Sequence, residues 1–327
     1  SGLGERERFR PARDQRKEEA RMMQDAIFAG VNAAVLTPMR GDLSADLDRL
    51  ARRCSHLFAN GCNNVAVLGT TGEANSFGIS ERLAILEGLL ERGVPAERIL
   101  PGTGTTAITD SVLLTRRAAE LGCRGALMLP PFYYKEPSDD GLFAYFSEVI
   151  ERLGGAIRIY LYHFPRLSAV PFSLALIGRL TKAFPGVVKG IKDSSGDLAN
   201  AVAMAKEFGP EGFEVYVGFD DGLTEILQQG GAGCITAAAN VTSAVNAKVV
   251  AHWREPAGEE AQRLLTSLRH TLATVPTIPA LSALVARAEK DPAWLTLRPP
   301  NVALTPEAAA KFFAAWDACG MGLPKAA

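Results

Sequence analysis

Short apolar runs alternate with longer amphipathic stretches from residue 30 onward. Short continuous apolar runs are typical of buried strands, whereas apolar residues recurring every three or four positions are typical of helices. The pattern predicts strands at residues 31–39, 64–69, 99–104, 125–129, 157–163, 187–196, 213–218 and 234–238. It predicts a helix after each strand, at residues 46–59, 80–92, 109–121, 139–153, 174–184, 198–208, 223–229 and 243–253.

Eight strand–helix units predict an α/β fold of the (β/α)8 TIM-barrel class, and their span of roughly 230 residues suits its usual size. The competing architecture is a doubly wound open sheet. That fold commonly carries a G-x-G-x-x-G phosphate cradle after its first strand. Here the first strand leads into TPMRGD, at residues 37–42, which offers no such cradle. The pattern therefore favours the barrel.

Two further segments flank the predicted barrel, which we assign to residues 29–254. Residues 1–28 are rich in charged side chains and form a predicted N-terminal arm, because they contain little apolar surface to bury. Residues 255–327 are predicted to form a C-terminal helical extension. Its helices are expected at residues 259–274, 278–290 and 306–318, separated by prolines.

Composition narrows the choice of partner and compartment. The chain has 327 residues and a formal net charge of -1, so it has no basic field that would hold nucleic acid or an anionic membrane. Its five cysteines are scattered and form no C-x-x-C pair, which indicates reduced thiols. No apolar run is long enough to span a bilayer, and the N-terminus lacks a secretory pattern. We expect a cytoplasmic protein that binds small molecules, with no nucleic-acid or membrane partner.

Lys192 ends the apolar run of the predicted strand at residues 187–196. In barrel enzymes the active site lies at the carboxyl ends of the strands. The stretch reads VVKGIKDSSG, and strict alternation places Val188, Gly190 and Lys192 on one face. A neutral lysine amine attacks a ketone to give a protonated imine, which withdraws electrons from the neighbouring carbon. Taken alone, a lysine at a strand end is more often an ordinary solvated lysine than a catalytic one.

Partners for such a lysine follow two other strands. The strand ending IYLYHFP directs Tyr162 into the same lumen, where a phenol would carry protons during imine formation. The turn GTTGE follows the second strand and supplies Thr70 and Thr71 as a proton relay or an anion site. As structure alone, this turn is a good helix-capping turn. Tyr134 lies in the loop PPFYYK, where paired aromatics taken alone indicate packing or an interface more often than catalysis.

The motifs GTTGE, PFYY, LYHFP and GIKDSSG together resemble the dihydrodipicolinate synthase and N-acetylneuraminate lyase family, over residues 29–306. The resemblance implies that pyruvate, or the pyruvate part of a 2-oxo acid, forms an imine on Lys192. It further implies that the hydroxyls of Thr70 and Thr71 hold its carboxylate and that Tyr162 carries protons. Tyr134 of a neighbouring subunit would complete the relay through Thr70, typically in a homotetramer. No metal and no organic cofactor are implied.

The predicted site for the second substrate departs from the family pattern. The synthase usually carries an arginine five residues beyond the tyrosine, but this position is Leu167, and the nearest arginine is Arg166. A guanidinium on a long stem can still reach a carboxylate, although Arg166 is also compatible with an ordinary surface position. We add Gly72 and Ile235 as predicted substrate-binding positions.

The prediction is therefore a Schiff-base lyase or synthase, similar to dihydrodipicolinate synthase, that condenses or cleaves pyruvate with an aldehyde. A 2-keto-3-deoxy sugar-acid aldolase or dehydratase of the same family is one alternative. A catalytically silent, metabolite-binding barrel is another, because a fold does not prove a function. A metal-dependent aldolase would need histidine or carboxylate clusters at the strand ends, and the sequence offers only Asp220 and Asp221, without histidines near them.

Overall fold

Seven parallel strands surround a common axis in the order β2-β1-β7-β6-β5-β4-β3. The computed structural model describes residues 26–322. Within them the strands are β1 Gly30–Ala34, β2 Asn64–Ala66, β3 Gly125–Met128, β4 Arg158–His163, β5 Val188–Asp193, β6 Glu214–Val217 and β7 Gly233–Thr236.

The two edges of this sheet, β2 and β3, are joined by a bridging segment at residues 99–102. Isolated parallel bridges at Ile99 and Gly102 connect the segment to β2 and β3 respectively. Pro101 lies between them and has no amide N–H, so it cannot donate to the ladder. The barrel therefore closes where the third strand was predicted, although this segment does not form a regular strand.

Nine helices cover the described part of the barrel. They are α1 Leu47–Ala59, α2 Ile79–Glu91, α3 Ile108–Glu120, α4 Asp139–Leu153, α5 Pro165–Ser168, α6 Leu174–Ala183, α7 Leu198–Phe208, α8 Leu223–Gln228 and α9 Ala239–His252. Side chains of Asp46, Ser138 and Ser173 cap α1, α4 and α6 by accepting backbone N–H groups left unpaired at the helix start. All eight predicted barrel helices are present, and the predicted (β/α)8 fold is confirmed.

Strand β5, which carries Lys192, departs from strict alternation. Ile159 of β4 pairs with Val188, whereas the next residue of β4 pairs with Gly190, so Lys189 is an extra residue in a β-bulge. Val188 consequently packs in the core between the sheet and the helices, while Lys192 lies over the ring of Tyr162 inside the barrel. The prediction that Val188 shares a face with Gly190 and Lys192 was wrong, because the bulge reverses the alternation.

The lumen of the barrel is filled by a second apolar cluster that is rich in aromatic rings. Its buried members are Phe28, Ala66, Leu100, Leu127, Tyr160, Tyr162, Tyr216, Ala232 and Ile235. Phe28 meets Tyr160 edge to face, with the ring centres 5.3 Å apart. Phe28 belongs to the predicted N-terminal arm, whose residues 1–25 lie outside the described part of the chain. The division into arm, barrel and extension stays a prediction.

The C-terminal extension contains α10 Pro256–Leu272, α11 Thr277–Glu289 and α12 Pro306–Ala318. It packs against the barrel through an apolar cluster that includes Leu36, Val241, Leu272, Leu281 and Trp316. Across residues 26–322, no single helix is long and apolar enough to cross a membrane. The helices α10 and α11 meet the length and composition test only as a pair bent by 114°.

Candidate active site

A cleft of about 730 Å³ opens at the carboxyl ends of the barrel strands. Loops that follow β2, β4, β5, β6 and β7 line it, and the segment joining α10 to α11 covers one side. Lys192 and Tyr162 both contribute to its lining. The candidate site therefore lies at the end of the barrel where residues from several strands meet.

Lys192 and Tyr162 are direct neighbours across β4 and β5. They are register partners, and the Nζ atom of Lys192 lies 4.2 Å from the centre of the Tyr162 ring. Only 5% of Lys192 and 3% of Tyr162 is exposed. Phe164 stacks on Tyr162 with the ring centres 5.8 Å apart, which holds the phenol in place. The amine of Lys192 and the phenol of Tyr162 are thus both buried and lie at the same end of the cleft.

Thr70 completes this group from the loop after β2. Its Oγ1 lies 3.3 Å from the Oη atom of Tyr162, and either hydroxyl can be the donor. The turn is tight, because the amide of Glu73 donates to the carbonyl of Thr70 at 3.0 Å and Glu73 adopts a left-handed backbone with φ +55°. Thr71 is buried and lines the cleft beside it. The structure therefore brings Lys192, Tyr162, Thr70 and Thr71 together.

Gly72 and Ile235 lie outside the lining of this cleft. A Cβ atom on Gly72 would lie 2.9 Å from the carbonyl oxygen of Val35, so glycine allows the turn to approach the chain after β1. The Thr37 hydroxyl fixes this approach by donating to the carbonyl of Gly72 at 2.8 Å. Ile235 is fully buried in the lumen cluster, and the following residue, Thr236, reaches the cleft instead.

Tyr134 and Arg166 occupy different places. Tyr134 is 80% exposed and lines a separate cleft of about 540 Å³, so one chain does not bring it to Lys192. Its ring meets that of Tyr133 edge to face at 5.3 Å. Arg166 lies on the one-turn helix α5, is exposed, and lines the cleft of Lys192 together with Leu167.

Two acidic residues in the cleft wall were not predicted as site residues. Asp220 is fully buried and accepts hydrogen bonds from Thr236 at 2.7 Å and from Asn246 at 2.8 Å, while burial raises the pKa of its carboxyl group. Glu73 accepts hydrogen bonds from the side chain of Asn301 at 3.0 Å and from a backbone amide at Arg298. Burial also raises the pKa of Glu73. Both side chains thus hold parts of the cleft wall together through hydrogen bonds.

The C-terminal extension contributes a positively charged side chain to the cleft, and it comes from a helix and not from a strand end. Arg269 of α10 lines the cleft and lowers the pKa of Asp220 slightly, against the larger effect of burial. Its position in a helix after the barrel gave no signal in the sequence. Among residues 26–322, no group of three or more His, Cys, Asp or Glu side chains is placed to hold a metal ion.

Comparison with known proteins places this geometry in context. A model of the dihydrodipicolinate synthetase family matches residues 27–316. An uncharacterized DapA-like lyase of Chloroflexus aurantiacus is 32% identical over 292 residues, covering 88% of this chain and 96% of that protein. A 4-hydroxy-tetrahydrodipicolinate synthase of Bacillus subtilis is 31% identical over 215 residues, covering 65% of this chain and 72% of the relative.

Solved structures agree with the sequence comparison. Dihydrodipicolinate synthase from Agrobacterium tumefaciens superposes with a TM-score of 0.83 at 34% identity, covering 89% of this chain and 99% of that one. A prophage protein of the same family from E. coli K12, solved in complex with pyruvate, superposes with a TM-score of 0.81 at 26% identity. That comparison covers 90% of this chain and all of the other.

Proposed function

The chain belongs to the dihydrodipicolinate synthetase family of lyases, and from this premise we propose that it forms an imine between Lys192 and a 2-oxo acid such as pyruvate. The observation that supports the proposal most directly is the packing of Lys192 against Tyr162, with Thr70 within 3.3 Å of the phenol. None of the ion pairs among residues 26–322 includes Lys192, so its amine is available to a carbonyl carbon.

In the proposed reaction the amine of Lys192 attacks the ketone carbon and gives a carbinolamine. Tyr162 gives its proton to the carbinolamine hydroxyl, which leaves as water, and a hydrogen bond from Thr70 stabilises the phenolate that remains. The resulting protonated imine draws electrons from the C3–H bond of the substrate, and transfer of that proton to the phenolate of Tyr162 gives an enamine and restores the phenol. The enamine carbon then bonds to the carbonyl carbon of an aldehyde, whose oxygen takes the proton of Tyr162. Water hydrolyses the new imine and frees Lys192, and cleavage follows the same steps in reverse.

The turn after β2 is the proposed site for the carboxylate of the 2-oxo acid. Thr70 and Thr71 both line the cleft. The proposed donors are the hydroxyl of Thr71 and the backbone amides of the turn, because the hydroxyl of Thr70 lies within hydrogen-bond distance of Tyr162. Hydroxyl and backbone donors suit a carboxylate, because hydrogen bonds to an ionised acceptor are stronger than neutral ones. This arrangement would place the adjacent ketone carbon between Lys192 and Tyr162.

Two substrate classes remain candidates for the aldehyde half. Arg166 lines the cleft and favours an aldehyde that carries a carboxylate, as in a synthase. Leu167, which is 62% exposed, occupies the position where the synthase usually has its arginine, and this favours a 2-keto-3-deoxy sugar-acid aldolase or dehydratase. Steady-state assays with aspartate semialdehyde and with a panel of 2-oxo sugar acids distinguish the two.

Reduction with borohydride in the presence of pyruvate tests the proposal. We expect a pyruvyl adduct on the peptide that contains Lys192, and none in Lys192→Ala, because reduction traps only the imine. Lys189→Ala is the matched control, since Lys189 lies in the same strand but donates to the carbonyl of Gly212 at 2.7 Å. An adduct on another lysine, or no adduct, would contradict the mechanism.

The proposed reaction needs no metal and no organic cofactor, and undiminished adduct formation after dialysis against a chelator would support this.

We also propose a homotetramer in which Tyr134 of one copy enters the site of a neighbouring copy and contacts Thr70 there. The exposure of Tyr133 and Tyr134 supports such a contact, and sedimentation of wild type and Tyr134→Ala tests it. A cytoplasmic location is consistent with five free cysteines, four of them buried.

A further inference from the structure

A buried arginine lies behind the Thr70–Tyr162 pair without a full set of partners. Arg82 of α2 is 4% exposed, and its Nη2 donates to the carbonyl of Gly102 at 2.8 Å. Its Nε–H has no hydrogen-bond acceptor among residues 26–322. Leaving an N–H of a buried guanidinium without a hydrogen bond costs free energy, so we expect an acceptor beside this atom.

A small void beside Arg82 can supply that acceptor. Its volume is about 10 Å³, near the minimum that holds one water molecule. Arg82 lines it together with Thr70, Asn75 and Tyr162. The last three residues also line the cleft of Lys192, so the void lies directly behind the proposed proton carriers.

Arg82 stays positively charged in this environment. Burial lowers the pKa of its guanidinium to about 10, and the nearby carboxylate of Asp110 opposes the shift. A guanidinium carries only donors and no acceptor, unlike a hydroxyl or a water molecule, which can be either. A water molecule that accepts from Arg82 keeps two protons to donate and only one further acceptor position, so the guanidinium favours donation away from itself.

We propose that Arg82 is a positioning residue that favours one direction of the proton relay through one water molecule bound in the void. The water accepts from Nε of Arg82 and donates to Oγ1 of Thr70. Thr70 then donates its own proton to the phenol oxygen of Tyr162. The proton of Tyr162 is left pointing into the cleft, where the carbinolamine hydroxyl would receive it. With the opposite direction, the phenol proton would be held by Thr70 and withheld from the substrate.

This inference rests on the proposed function, because it assigns a direction to the relay that serves the imine. It does not require a second copy of the chain, since every group named lies in one chain. Either hydroxyl can be the donor in the hydrogen bond between Thr70 and Tyr162, and Arg82 favours donation by Thr70.

The test compares wild type with Arg82→Met, Arg82→Gln and Arg82→Lys. The rate constant of imine formation is measured by mixing enzyme with pyruvate and quenching with borohydride, and the affinity for pyruvate is measured in parallel. We expect Met and Gln to slow imine formation by about tenfold to a hundredfold, a part of what general acid catalysis contributes. Pyruvate affinity should change less than about twofold. Lysine, which is also donor-only, should restore most of the rate.

Arg53→Met is the matched control for removing a buried arginine. Arg53 is 1% exposed and pairs with Glu289 at 3.0 Å, outside the lining of the cleft. Its loss should lower the melting temperature while imine formation keeps its rate. If Arg82→Met does not fold, Arg82→Gln carries the same comparison, because a glutamine amide is shorter, uncharged and able both to donate and to accept, so it does not favour one direction.

Three results would overturn the assignment. Imine formation at the wild-type rate in Arg82→Met or Arg82→Gln is one, and a loss confined to pyruvate affinity is another. The third is a high-resolution crystal structure of the wild type in which no water bridges Nε of Arg82 and Oγ1 of Thr70. By contrast, a wild-type enzyme that forms no adduct on Lys192 would refute the proposed function itself.

Discussion

Replacing Tyr162 by phenylalanine removes one oxygen and leaves the ring in place. The ring stacks on Phe164 and covers the Nζ atom of Lys192, so packing at the end of β4 should survive. The lost atom is the one within 3.3 Å of Thr70. A net hydrogen bond contributes about 0.5–1.5 kcal/mol, and water from the cleft can replace the partner of Thr70. We expect the melting temperature to fall by no more than a few degrees.

The effect on chemistry should be much larger. General acid–base catalysis contributes about a hundredfold to ten thousandfold, which corresponds to about 2.7–5.4 kcal/mol of activation free energy. Tyr162→Phe should therefore slow imine formation with pyruvate by at least about a hundredfold, with little change in pyruvate affinity. Rapid mixing followed by borohydride reduction and mass analysis of the Lys192 peptide measures this rate directly.

Tyr160→Phe provides the matched control on the same strand. Tyr160 is also buried in the lumen, but its hydroxyl donates to Glu214 at 2.8 Å, outside the lining of the Lys192 cleft. Its loss should destabilise the fold and leave the rate of imine formation near that of the wild type. The reasoning fails if Tyr162→Phe forms the imine as fast as the wild type, or if both variants lose the rate equally.

Two further predictions concern the second substrate and the pH dependence of stability. Arg166→Ala should raise the KM for an aldehyde that carries a carboxylate by about tenfold to a hundredfold, because a charge-assisted hydrogen bond is lost. Imine formation should be unchanged, and an unchanged KM would remove Arg166 from the site. A hydrogen bond from Arg298 lowers the pKa of Glu81 from 4.5 to about 2, so its stabilisation is complete above pH 4.5 and is lost as the pH falls through 2. Urea unfolding against pH should show this loss in wild type and not in Glu81→Gln.

The part of the site that was predicted from the sequence depends on strand geometry alone. Lys192 and Tyr162 lie at the ends of adjacent parallel strands, where equal strand direction brings carboxyl ends together. Thr70 follows a third strand at the same end of the barrel. These positions follow from counting strands and noting which residue ends each one, so apolar patterning was enough to bring them together.

Other features depend on information that patterning does not contain. The bulge at Lys189 leaves no glycine or proline signal at that residue, and only the pairing with β4 reveals it. Arg269 and Asn301 reach the cleft from the extension, many residues after the last strand. Arg82 belongs to α2, outside the strand ends that a barrel rule examines, and its role depends on a void of one water's size.

The contribution of the extension follows from the way it holds the turn after β2. Glu73 would pay a desolvation cost in its buried position, and the amide of Asn301 together with the backbone at Arg298 offsets it. Arg298 in turn donates to Glu81 and to the carbonyl of Ser76. Residues 298–301 therefore form hydrogen bonds with both ends of the stretch 73–81, which follows the turn. Because Thr70 lies three residues before Glu73, the position of the hydroxyl beside Tyr162 depends on this anchor. We therefore expect loss of the extension to slow imine formation by Lys192.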